Sequence, residues 1–160
     1  MIELARGDIL NCEVDAVVLS AHPTLVAGSG MSGHFHRQAG PELEEAAKKL
    51  GPLGPGNSVV TDGFNLRTPL VVHAVAPRYI NGSEKEERLI RQTYQSVISR
   101  ADLAHIESIA FPAIGVGIYG WPIDLAASIA VSVLANSPFK RTIVCLYDQE
   151  NYESYQKLLV

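Results

Sequence analysis

Short apolar runs alternate with stretches of helical pattern along the whole chain, and this alternation leaves few architectures open. Residues 14–19, 70–75, 106–111 and 142–147 read as strands mostly buried on both faces, because apolar residues fill successive positions rather than every second one. Residues 2–6 and 58–61 are weaker strand candidates. Between them the helices carry their own start and stop signals. Pro41 opens one after Gly40, and Gly51 closes it past Lys48, Lys49 and Leu50, with acids early and bases late as the helix dipole prefers. Ser83 followed by Glu86 forms a capping box, behind which Leu89, Ile90, Tyr94, Val97, Ile98 and Ala101 share one helical stripe. Pro122 suits the first position of a helix running through residues 126–134, and a last helix is expected from about Glu150 to Leu159. Strands buried on both faces need helices on both, so the expectation is an α/β fold, a three-layer α/β/α sandwich. At 160 residues the chain is read as one domain over 1–160, with the glycine and proline punctuation of residues 51–56 a loop inside it.

Composition narrows the partners. Lys+Arg 13 against Asp+Glu 17 gives a net charge of -4 and a pI near 5.7, which disfavours duplex DNA and anionic membranes. The N-terminus lacks the basic and apolar regions of a signal peptide. No apolar run approaches the ~18 residues of a membrane span. Cys12 and Cys145 are too few for a disulfide framework and are not spaced as a zinc site. A reduced, cytoplasmic protein without membrane or nucleic-acid partners is expected.

The chemistry gathers in two glycine-rich loops. Gly28-Ser29-Gly30-Met31-Ser32-Gly33 and Gly115-Val116-Gly117-Ile118-Tyr119-Gly120 both fit G-x-G-x-x-G, and both lie between a strand and a helix. Glycines let successive backbone N–H groups converge on an anion, and the helix N-terminus behind adds partial positive charge. Two such loops suggest a pocket that grips a diphosphate from both sides. The spacing argues against a Rossmann dinucleotide site. Residues 21–27 separate the first strand from its glycines, and the second loop comes too late to begin a dinucleotide-binding domain.

From Gly7 to about Leu158 the sequence resembles the macrodomain family, the ADP-ribose-binding or Appr-1''-p processing family. Gly7-Asp8-Ile9 followed by Val14-Asp15-Ala16-Val17-Val18 resembles its opening and first central strand. Phe111-Pro112-Ala113-Ile114-Gly115-Val116-Gly117-Ile118-Tyr119-Gly120-Trp121-Pro122 is similar to its second phosphate loop. Val71-Val72-His73-Ala74-Val75-Ala76-Pro77 and Val144-Cys145-Leu146-Tyr147-Asp148 fit in order and spacing.

The resemblance implies a mixed central sheet and assigns roles. Asp8 would accept the adenine amino group, otherwise being a strand-end turn residue. Ile9 would sit beside the base, otherwise being core. Tyr147 would stack on adenine, otherwise being a core tyrosine. The backbone of Gly115, Val116, Gly117, Ile118 and Tyr119 would hold the diphosphate, with Tyr119 also packing on the distal ribose. Gly28, Ser29, Gly30, Met31 and Ser32 would close over that ribose and the second phosphate. Neutral amides also explain how an acidic protein would take an anionic ligand.

Departures from the family bear on catalysis. Hydrolase branches resemble Asn-Ala-Ala-Asn where this chain has Leu19-Ser20-Ala21-His22, so His22 replaces the asparagine that orients the distal ribose. Ser32 stands where mono-ADP-ribosylhydrolases carry an acid. A serine hydroxyl is no base at neutral pH unless a neighbour takes its proton, and His22 titrates in the right range to do so. Ser32 and His22 are therefore the catalytic candidates. The lysine of another hydrolase branch has no counterpart, since no lysine occurs before residue 45. Loss of the acid points to a reader of ADP-ribose or ADP-ribosylated protein with little or no turnover. The alternative is an ADP-ribosyl hydrolase acting on mono-ADP-ribosylated protein or O-acetyl-ADP-ribose, and a third reading is a binder of other adenine nucleotides or RNA.

No metal and no cofactor are expected. On a helix His34 and His36 point about 200° apart, with no cysteine or carboxylate nearby in a ligand spacing. His36 matches a structural position, His73 a strand histidine with a satisfied hydrogen bond, and Cys145 an inert buried thiol. Lys85, Arg88, Arg91 and Arg100 lie among Glu84, Glu86, Glu87 and Asp102, as on a mixed-charge solvated face rather than an RNA surface.

Overall fold

A computed structural model describes residues 1–159. The strands are β1 (Ile2–Arg6), β2 (Ala16–Ser20), β3 (Ser58–Asp62), β4 (Leu70–Ala74), β5 (Ser108–Phe111) and β6 (Arg141–Leu146). The helices are α1 (Gly30–Ala39), α2 (Pro41–Lys48), α3 (Glu84–Leu103), α4 (Ile123–Leu134) and α5 (Gln149–Leu158), with a short 3-10 helix at Ile9–Asn11. One sheet runs β1-β6-β5-β2-β4-β3, parallel throughout except for the antiparallel pair β3–β4. This is the mixed sheet of a three-layer sandwich.

Consecutive residues of the central strands feed opposite cores. Val18, Val72, Ile109 and Val144 meet Ile90, Tyr94 and Val97 of α3, Ile129 of α4 and Tyr155 of α5. Val17, Val71, Ala110, Ile143 and Cys145 meet Ile9, Leu10, Phe35 of α1 and Leu43 of α2. Burial on both faces explains why these strands lack an in–out alternation.

Several element ends differ from expectation for local reasons. Residues 14–15 and 106–107 lie outside the sheet, because the Asp15 carboxylate accepts the N–H groups of Glu107 and Ser108 (2.9 and 3.0 Å) while Ser108 Oγ accepts the Asp15 N–H at 2.8 Å. Side-chain bonds here add to the main-chain bonds that the Asp15 and Glu107 carbonyls accept from Leu70 and Arg141. Pro122 is extended (ψ 135°) and caps α4 instead of opening it. At α3 the Ser83 hydroxyl accepts the Glu86 N–H (3.2 Å), but Glu86 Oε1 accepts from Ile80, Asn81 and Gly82 rather than closing the box. Helix α5 starts at Gln149 because Asp148 caps the Asn151 N–H at 2.8 Å.

The topology places the site. The five parallel strands end at the same edge of the sheet. From β2 the chain turns toward β3 and β4, whereas β5 lies on its other side, and the β2–β5 ladder ends at Val17↔Ala110. Such a reversal point is where ligand crevices form in α/β sheets. The loops leaving β2 and β5 are the two glycine-rich loops.

Candidate functional site

Along that edge the chain ends of β1, β6, β5 and β2 stand in order. They bring together Gly7 and Asp8, then Tyr147, then residues 112–121, then residues 21–30. Positions scattered from 7 to 147 thus lie along one edge of the sheet.

The β5 loop leaves several of its donors unused. Its N–H groups at Val116, Gly120 and Trp121 bond to Ala113, Gly117 and Gly115 carbonyls, while those of Gly115, Gly117, Ile118 and Tyr119 donate to no acceptor among the described residues. The glycines differ in purpose. A Cβ on Gly115 would come within 2.7 Å of Trp121 and 3.0 Å of Ile90, so that glycine serves packing. Gly117 (φ +93°) has nothing within 4 Å of its missing side chain, leaving the space above the row open. Val116 is half-buried and Ile118 exposed. Tyr119 is half-buried under the Arg78 guanidinium, 5.0 Å from its ring centre.

On the neighbouring strand, the loop before α1 presents a second donor row. The N–H groups of Gly28, Ser29, Gly30, Met31 and Ser32 have no acceptor among the described residues, as expected of an uncapped helix start. Gly28 (φ +65°) and Gly30 (φ +61°) also have open space above them, while Gly33 is packed, a Cβ there lying 2.8 Å from the Gly28 carbonyl oxygen. Glu44 of α2 anchors this loop from behind, its Oε2 accepting the Ala27 N–H at 2.6 Å.

The side chains of the catalytic candidates have other partners. Ser32 Oγ donates to the Ala27 carbonyl at 2.7 Å. His22 is exposed, and its Nδ1 meets Thr24 Oγ1 (2.8 Å) and the Thr24 N–H (3.1 Å). The two share no hydrogen bond in the structure. Leu25 closes the turn after His22 with φ 61°, a strained position held by its complete burial.

At the β1 end, Asp8 Oδ1 accepts the Leu10 N–H (2.9 Å) and Oδ2 lies 2.8 Å from His34 Nε2. Partial burial opposes its ionisation, but the Leu10 amide and His34 outweigh this and hold the carboxyl below its usual range. Ile9 is buried in the core beneath, and Tyr147 is 74% exposed, so its ring face is open rather than packed. Cys145 is buried, its thiol pushed up by contact with Cys12 and by burial.

Sequence reasoning missed the partners of these groups. His34 was read without a nearby carboxylate, yet Asp8, 26 positions upstream, meets it. Glu44 and Arg78 gave no motif, because each acts on a loop distant in the chain. His36 lies buried 6.5 Å from the ring of His73, not beside His34.

Residues 18–130 match the Macro domain family model. An O-acetyl-ADP-ribose deacetylase from Enterobacter sp. (strain 638) is 39% identical over 168 residues, spanning 99% of this chain and 93% of that protein. The chain belongs to the macrodomain family. A macro domain-containing protein from Chlorobaculum tepidum is 35% identical, spanning 99% of this macrodomain and 95% of the relative. The Oceanobacillus iheyensis macrodomain, solved with ADP, superposes with a TM-score of 0.92 at 29% identity, covering 99% of this chain and 89% of that one. The Trypanosoma brucei macrodomain in complex with ADP-ribose gives 0.89 at 26% identity, covering 99% and 69%. No helix among the described residues is long and apolar enough to cross a membrane.

Proposed function

We propose that this macrodomain binds ADP-ribose, free or as an ADP-ribosyl group on a protein, and turns it over slowly or not at all. The reading rests on the two rows of unpartnered N–H groups at the ends of the neighbouring strands β2 and β5, with open space above Gly28, Gly30 and Gly117. Such rows suit a diphosphate without any lysine or arginine, in keeping with the net charge of -4. Asp8 supplies the acceptor for a base amino group one strand beyond Tyr147. ADP and ADP-ribose in the solved relatives support this assignment. Little turnover is argued from Ser32 and His22, since Ser32 Oγ is held by Ala27 and His22 Nδ1 by Thr24, and the two share no hydrogen bond.

A second reading, O-acetyl-ADP-ribose deacetylation, is favoured by the name of the Enterobacter relative. Calorimetric titration with ADP-ribose, with AMP and NAD as controls, tests the first. Micromolar affinity for ADP-ribose and weak binding of the controls is expected, and equal affinity for AMP would overturn it. Acetate release from O-acetyl-ADP-ribose then separates reader from enzyme. Turnover lowered by Ser32→Ala or His22→Ala, with binding intact, would establish the catalytic pair and reject the reader.

A further inference from the structure

The proposed function leaves His34, at the base end, without a task. Its Nε2 lies 2.8 Å from Oδ2 of Asp8, and both side chains are partly open to solvent, at 28% and 32%. Asp8 is ionised at neutrality, so Nε2 carries the proton and donates. Oδ1 is already taken by Leu10, so Oδ2 is the oxygen left for a base, and His34 stands on it.

We propose that His34 is a specificity-determining residue at the base end of the cleft, competing with the incoming purine amino group for Oδ2 of Asp8, so that binding weakens on acidification. This rests on the assignment of Asp8 to the base. An imidazole is the side chain whose charge ordinarily changes between pH 5 and 8. Once protonated, it adds the attraction of a full ion pair to the bond it already makes with the carboxylate, and is harder to displace. The other charged groups near the pair are few. β2 carries none, and α2 turns Glu44 toward the Ala27 amide and His36. Arg37, one turn along α1, reaches back over Gly33. Cys12 and Cys145 lie close enough to Asp8 to feel its charge.

The test is titration with ADP-ribose from pH 5.5 to 8.5 on the native protein, His34→Ala and His34→Gln. His34 is half-buried on a helix and its loss leaves the core intact. Native affinity is expected to fall steadily from pH 8.5 to pH 5.5. His34→Ala is expected to lose most of this pH dependence and to bind at least as tightly as the native protein at pH 8.5. His34→Gln, a neutral donor, is expected to lose it likewise and to bind more weakly than His34→Ala. An unchanged slope in His34→Ala, or weaker binding by it at every pH, would overturn the competition while leaving ADP-ribose binding in place. Absence of binding by all three proteins at every pH would remove the functional reading and this inference with it.

Discussion

At Asp8 one carboxylate serves the fold and, on the proposed reading, the ligand: Oδ1 caps the 3-10 turn through Leu10, while Oδ2 bonds to His34. Asp8→Ala is expected to weaken ADP-ribose binding by about 1.5–3 kcal/mol, the scale of a hydrogen bond to a charged group. Unchanged affinity by calorimetry would place the base elsewhere. Tyr147 offers a cleaner probe, since at 74% exposure its removal leaves no cavity. Tyr147→Ala should weaken ADP-ribose and AMP together and leave ribose-5-phosphate unaffected, and equal losses for AMP and ribose-5-phosphate would contradict the stacking role. Gly117→Val fills the open space above the β5 loop and forces a branched residue to φ +93°. Its circular dichroism spectrum should remain native while ADP-ribose binding is lost, and normal affinity would remove that loop from the site. At this scale the sequence was partly legible. The glycine spacings and Asp8 stand out in one dimension, but Ser32 bonding to Ala27 and His22 to Thr24 depend on loop shape that no local pattern encodes.

The elements themselves were easier to read than their ends. Strands β2 and β4 announce themselves through unbroken apolar runs, and α3 through Ser83 and its stripe, where Thr93 is buried with its hydroxyl donating to the Val75 and Leu89 carbonyls. The start of β5 was misjudged because Asp15, more than ninety positions away, supplies its first bonds. The same long reach governs the first glycine loop, which α2 steadies through Glu44 and the Ala27 amide. Glu44→Ala should therefore weaken ADP-ribose binding with little change in melting temperature, and Glu44→Gln, which keeps an acceptor, should restore most of it. Equal affinity in both variants and the native protein would show the loop to be held by its other contacts alone.

For the molecule as a whole, the buried histidines couple stability to pH. Thr61 Oγ1 donates to the Asp62 carbonyl, so His73 Nε2 must be the donor in their 2.9 Å bond, leaving His73 Nδ1 buried without a partner. Burial, with a smaller contribution from His36, lowers the His73 pKa from 6.5 to about 4. The unfolded chain then takes up a proton first as pH falls. The contribution of a neutral His73 is complete above pH 6.5 and is lost progressively down to about pH 4, by about 3 kcal/mol. Urea unfolding at pH 7.5 and 4 should show a stability loss smaller by about that amount in His73→Gln than in the native protein. An identical loss would show that other groups govern the acid limb.

The rows of main-chain donors at residues 28–32 and 115–119 have one more consequence. A peptide N–H belongs to every residue but proline, so substitution of a side chain there cannot delete it. On the proposed reading, a lineage can exchange the groups at the rim, a serine for an acid or a histidine for an amide, without first losing its hold on the ligand. Chemistry and capture are then inherited separately, and relatives differing at most positions can keep one and discard the other.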